Sequence, residues 1–166
     1  MSAFSANPQR RILSLWLPRL PIDRIKRASL VTNGLPAKQD DDAPSVVVIK
    51  ENNALKIYSL DDKAARFGLD IGMPLANARA ICPELKVFDA DQALDAQLLN
   101  DIADWCDRFT PLVALDPPHG LYLDITGCAH LFGGETAMLK LTCDLLSVQG
   151  FTVSASIAST SVSLHR

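Results

Sequence analysis

Apolar and polar positions alternate along this chain at two periods, and the switch between them marks out short strands and helices. Ile12-Leu13-Ser14-Leu15-Trp16-Leu17 is a compact apolar run stopped by Pro18, which predicts a buried strand. Pro21 to Ala28 reads as a short helix with proline at an early position. Val31 to Pro44, rich in Gly, Pro and Asp, reads as a loop. Ser45-Val46-Val47-Val48-Ile49 is a strand by its β-branched content, and a turn at Glu51-Asn52-Asn53 returns Ala54 to Tyr58 as a hairpin partner. Asp61 or Ser59 caps a helix running to Phe67, with Gly68 at its end. Pro74 opens another helix, with Leu75, Ala78 and Ile81 on one side, and Lys86-Val87-Phe88 is a short strand.

The longest helix is predicted from about Asp91 to Phe109. Leu94, Leu98, Ile102, Trp105 and Phe109 recur at intervals of three and four, the spacing of a core-facing stripe. Val113-Ala114-Leu115 and Leu121 to Ile125 are strands around a Pro117-Pro118 turn. Gly133-Gly134 precedes a helix from Glu135 to about Val148, and Phe151 to Ile157 alternates as a strand with one polar face. This order predicts an α+β or split βαβ sheet backed by helices. Residues 1–10 read as a flexible lead, and Ala158 to Arg166 as a tail too polar to repay its ordering entropy.

At 166 residues, 48% hydrophobic and 21% charged, the chain has ordinary globular composition. Its net charge of −3 demands no nucleic-acid partner by itself. The N-terminal stretch is the exception: Arg10, Arg11, Arg19, Arg24, Lys26 and Arg27 face one acid, Asp23, and form a candidate DNA contact or a solvated face. There is no run of about 18 apolar residues and no charged-then-apolar leader, so a cytoplasmic protein is expected. Cys82, Cys106, Cys128 and Cys143 contain no Cys-x-x-Cys pair and read as thiols in a reducing compartment. Cys128 and His130 are too few to make a zinc site, and no metal or cofactor is expected.

Four stretches carry a resemblance. They are Arg11 to Pro18; Ala65-Arg66-Phe67-Gly68-Leu69 with Gly72-Met73-Pro74; Asp104 to Pro111; and Leu123-Asp124-Ile125-Thr126 continued to Gly134. Together they resemble the palm and fingers of the Y-family DNA polymerases, and the string from Thr126 to Gly134 resembles the ImuB branch of that family. The resemblance implies a palm-like sheet backed by helices across 11–166, with a small fingers insert at about 31–90. In the family, Tyr-Leu-Asp-Ile-Thr follows a run whose Asp-Glu pair brings carboxylates to the catalytic metals. Here that run reads Pro118-His119-Gly120-Leu121.

Three metal-ligand positions of the family therefore align with Trp16, His119 and Gly120. Two-metal nucleotidyl transfer needs carboxylates holding ions about 3.5–4 Å apart, which offset the charge of the transition state. Indole and glycine supply no hard donor, and magnesium prefers oxygen to imidazole nitrogen. The family's triphosphate contacts align with Asp62 and Ala65, and a later phosphate-binding lysine with Ser161. A carboxylate at a phosphate position is repulsive. Asp124 reads as structural, Trp16 as a core or groove-lining aromatic, and His119 as an exposed turn residue. Asp116, three residues before His119, is the one carboxylate that a local shift brings near these positions.

The resemblance implies a non-catalytic, damage-inducible polymerase-like subunit that acts as an adaptor in translesion mutagenesis. Its implied partners are a sliding clamp, an ImuA-type RecA-like protein and a DnaE-type polymerase, held mostly through regions beyond palm and fingers, with weak DNA binding and no membrane. Ending at Arg166, the chain reads as a truncated palm and fingers portion. Two alternatives stay open: an active polymerase with shifted ligands, and an interaction module with no DNA role. No Gly-x-Ser-x-Gly or phosphate-binding glycine-rich motif supports a hydrolase or nucleotidase.

Overall fold

The computed structural model describes residues 9–33 and 43–160. They form two compact units: the residues up to Pro18 together with those from Ala96 onward, and the stretch Arg19–Asp95 inserted between them.

The first unit is built on a four-stranded antiparallel sheet in the order β5 (Val113–Asp116), β6 (Gly120–Asp124), β1 (Arg10–Trp16), β7 (Ser154–Thr160). The period-two pattern sets its faces. Leu13 lies opposite Leu123 and Leu15 opposite Leu121, and all four are buried. The other face carries Ser14 and Trp16 on β1, Gly120 and Tyr122 on β6, and Ser154 and Ser156 on β7. Helix α4 (Gln92–Cys106) runs into this unit, and α5 (Glu135–Val148) packs along β7 and buries Met138, Thr142 and Leu146. Gly133 and Gly134, at φ 86° and 106°, turn the chain from a 3₁₀ turn at Ala129–Phe132 into α5, a conformation that side-chained residues rarely adopt.

The inserted unit begins with α1 (Leu20–Asn33) and continues as the hairpin β2 (Ser45–Glu51) and β3 (Ala54–Leu60). Asn52 and Asn53, at φ 47° and 61°, make the two-residue turn that their side chains tolerate best. Helices α2 (Asp62–Arg66) and α3 (Leu75–Ile81) lead to β4 (Lys86–Asp89), which pairs parallel with β2. The sheet order is β3-β2-β4. Its core includes Val46, Val48, Ile57, Leu60, Ala64, Leu69, Leu75, Ala78 and Leu85. Asp61 caps α2 by accepting from the Ala64 amide at 2.8 Å.

Several expectations shift. Helix α1 continues to Asn33, beyond Ala28 and into the stretch read as loop from Val31; residues 34–42 lie outside the described residues. Strand β7 begins at Ser154, not Phe151, and takes in Ala158 to Thr160, which were expected in a mobile tail; the rest of that tail, and most of the flexible lead, lie outside the described residues. The buried stripe of α4 is Asp95, Leu99, Ile102 and Cys106, continued by Phe109 just beyond its end. Leu94 is exposed, and Leu98 and Trp105 are half-buried. The Leu98-Leu99 doublet makes the phase ambiguous by one residue, and Asp95 follows the buried phase because Arg24 pairs with it at 2.6 Å. On α3, Ile81 is exposed and Cys82 takes the buried place.

Candidate functional site

The antiparallel register brings together the three positions that the resemblance aligns with metal ligands. Trp16 lies directly opposite Gly120, and the Leu17 amide donates to the His119 carbonyl at 2.9 Å. Trp16 brings an indole to this place and Gly120 no side chain. Trp16, expected in a core or groove, ends its strand on the open face with 57% of its surface exposed. His119 is half-buried, not an exposed turn residue, and its carbonyl is held by Leu17 just past the end of β1. Gly120 is buried, and the space beside it is taken. A Cβ at 120 would lie 2.9 Å from both the backbone oxygen and Oδ2 of Asp116, its register partner on β5. Asp116 is thus the carboxylate nearest the site, and the Tyr122 phenol donates a hydrogen bond to it. That bond raises the Tyr122 pKa, since losing the phenolic proton would set two negative charges together. Sequence reasoning named Asp116 but missed Tyr122 as its partner; strand alternation places residues 120 and 122 on one face.

The far end of β6 is a closed hydrogen-bond knot. The Asp124 carboxylate accepts from the Thr126 amide at 3.0 Å and pairs with Arg10 at 3.3 Å. The Asp124 carbonyl accepts from the Thr110 hydroxyl at 2.8 Å, and the Thr126 hydroxyl accepts from the Arg11 amide at 2.9 Å. Arg11 then reaches α5, donating from Nε and Nη2 to Glu135 at 2.8 and 2.6 Å and from Nη1 to Ser159 at 2.5 Å. This fork holds the Glu135 pKa below, and the Arg11 pKa above, its ordinary value.

In the inserted unit, Asp62 sits in the first turn of α2 and pairs with Arg19, whose hydrogen bond lowers the Asp62 pKa. Ala65 is exposed, one position past the buried Ala64. Ser161 lies outside the described residues. The basic stretch is largely engaged with carboxylates: Arg10 with Asp124, Arg11 with Glu135, Arg19 with Asp62, Arg24 with Asp95, and Lys26 with Asp61 at 2.6 Å. Arg27 also has a partner. Cys106 and Cys82 are buried, while Cys128 and Cys143 are half-buried, and burial pushes the Cys106 thiol up to about 12. Among the described residues no three His, Cys, Asp or Glu side chains converge on a point that could hold a metal ion. No helix among them is long and apolar enough to cross a membrane.

The fold is that of the Y-family DNA polymerases. DinB from Sulfolobus solfataricus superposes with a TM-score of 0.66 at 17% identity, covering 89% of this chain and 42% of that one. The post-insertion binary complex of Dbh DNA polymerase gives 0.69 at 17% identity over the same shares. The model of the impB/mucB/samB family matches residues 38–163, and the chain belongs to that family. Protein ImuB of Caulobacter vibrioides is 46% identical over 93 residues, which are 56% of this chain and 20% of that protein. DNA polymerase IV of Gluconobacter oxydans is 32% identical over 101 residues, 58% of this chain and 27% of that one. The chain therefore spans about a fifth to a quarter of the length of these relatives.

Proposed function

We propose that this chain is the palm and fingers portion of a non-catalytic Y-family protein that serves as an adaptor in DNA damage tolerance. The observation that carries the reading is the pairing of Trp16 with Gly120 beside His119, where the family holds its metal carboxylates. The donors available there are one imidazole, backbone carbonyls and Asp116, whose carboxylate already accepts from Tyr122. That set does not fit a pair of oxygen-loving divalent ions. By resemblance Asp62 stands where the family binds triphosphate, and there it is a carboxylate already paired with Arg19. The 46% identity to a protein named ImuB supports the same reading. By resemblance the whole protein acts in the cytoplasm during a damage-induced response, joining a sliding clamp, an ImuA-type RecA-like protein and a DnaE-type polymerase. DNA binding by this portion arises from Arg10, Arg11, Arg19, Arg24, Lys26 and Arg27; it is weak, because most of those cations already face carboxylates, and it fades as salt rises, because phosphate contacts release counterions.

Primer extension with magnesium or manganese tests this reading. No product above a protein-free blank is expected, and template-dependent extension would overturn it. A second reading, an active polymerase in which Asp116 replaces a lost ligand, draws on the relatives named DNA polymerase IV. It requires extension that disappears in an Asp116→Asn variant.

A further inference from the structure

Strand β5 has a hydrogen-bonded neighbour on one side only, β6, among the described residues. Its other edge opens onto a cleft of about 450 Å³, within the range of ligand pockets. One wall is Val113, Ala114 and Leu115; the other is Asn100, Ala103, Asp104 and Asp107. Asn100, Ala103 and Asp104 recur at three and four along α4 and so share one face, and Asp107 follows in the turn just past its end. Three consecutive strand residues line the cleft, so it runs along the strand edge and not over one face of the sheet. Leu112, just before the strand, is 54% exposed, and Leu115 is 41% exposed.

An edge strand of this kind usually carries a lysine, a proline or a bulge that keeps other chains away. Val113-Ala114-Leu115-Asp116 contains none of the first two and pairs with β6 in unbroken register. The charge along the cleft has one sign. Asp104 and Asp107 border it, and both are exposed. The nearest cation in sequence, Arg108, lies over the Trp105 ring at 4.2 Å and donates to the Trp105 carbonyl at 3.0 Å.

We propose that this cleft is a docking groove for an extended, lysine- or arginine-bearing peptide segment of a partner protein. The segment adds to β5 as a further strand, its backbone completing the ladder and its basic side chains meeting Asp104 and Asp107. The groove lies within one unit and makes no use of Trp16, His119 or Gly120, so it stands whether or not the chain transfers nucleotides.

The test uses the whole 166-residue chain and an acetylated, amidated heptapeptide of alternating threonine and lysine. A segment of that length more than covers four strand residues at about 3.4 Å each. Amide shifts on titration should concentrate at residues 100–116, with a Kd of about 0.1–1 mM at low salt. The Asp104→Asn, Asp107→Asn double variant should weaken binding about tenfold and reduce its salt dependence. A peptide N-methylated at alternate residues, which cannot complete the ladder, should lose binding about tenfold. The proposal is overturned by shifts mapping elsewhere, by no binding at about 2 mM peptide, or by equal binding of the N-methylated peptide. Tighter binding of a lysine-rich helical peptide of the same charge would also overturn it.

Discussion

The two ends of strand β6 belong to one sequence motif and do opposite things. At its end, Asp124 and the Thr126 that follows use side-chain oxygen on backbone amides or a guanidinium, tying β1, β6 and the approach to α5 into one network. At its start, Gly120 gives up its side chain to Asp116, opposite an exposed tryptophan. On the proposed reading, the family pattern is kept where it holds the backbone and altered where it would hold metal. On that reading a polymerase-like string persists for its hydrogen bonds alone, and such a match is evidence of fold before it is evidence of reaction.

The sharpest way to break the comparison is at the tied end. Asp124→Ala removes the acceptor of the Thr126 amide and the partner of Arg10 from a buried position, and should cost about 2–3 kcal/mol in urea unfolding. Asp124→Asn should cost about half as much, since it keeps an acceptor. A loss under about 0.5 kcal/mol would mean that the knot contributes little. At the altered end, Gly120→Glu should cost about 1–3 kcal/mol, because its Cβ would start 2.9 Å from a backbone oxygen that cannot withdraw without moving β5. A Trp16→Asp, His119→Asp, Gly120→Glu variant thus faces a steric obstacle and, on the proposed reading, should show no primer extension.

Proton linkage separates the ends more gently. The folded-state pKa of Glu135 is depressed, so the Arg11 fork contributes stability above the unfolded value near about 4.3 and loses it as pH falls through the folded value. Glu135→Gln should remove that part of the acid sensitivity in chemical unfolding between about pH 5 and 3; an unchanged profile would place the sensitivity elsewhere. Tyr122 runs the other way. Its raised folded pKa means stability fully present below about 10 and lost as pH rises through the folded value. Ultraviolet titration should show a phenol ionising above its ordinary range, returning to that range in Asp116→Ala; a midpoint indifferent to Asp116 would sink the pairing. The smallest effect is expected at Trp16. With 57% of its surface exposed, Trp16→Ser should change stability by less than about 0.5 kcal/mol. A larger loss would show that the indole carries packing that its exposure does not reveal.

Local chemistry was enough to place most elements. Strand β2 follows from its valines, the hairpin turn from Asn52-Asn53, and the start of α2 from the short acidic side chain of Asp61, because each signal acts within a few residues. Trp16 and Gly120 stood out against the resembled string because neither side chain offers a metal-binding atom, and His119 because it offers nitrogen where the resemblance implies a carboxylate. The phase of α4 and the beginning of β7 were not legible. They depend on which side chains a partner covers: Arg24 draws Asp95 inward and carries the stripe round by one residue, and the register with β1 starts β7 at Ser154.

By itself, then, the sequence determined the alternation of strands and helices and the identity of the side chains at positions 16, 119 and 120, because propensity and side-chain chemistry are local properties. The tertiary structure alone decided the order β5-β6-β1-β7, the placing of Trp16 against Gly120, the occupation of the vacant glycine space by Asp116, and the pairing of the basic stretch with distant carboxylates. Those are consequences of register. Register is set by burying one face of a sheet whose strands lie up to a hundred and more residues apart, and no window of sequence contains both partners.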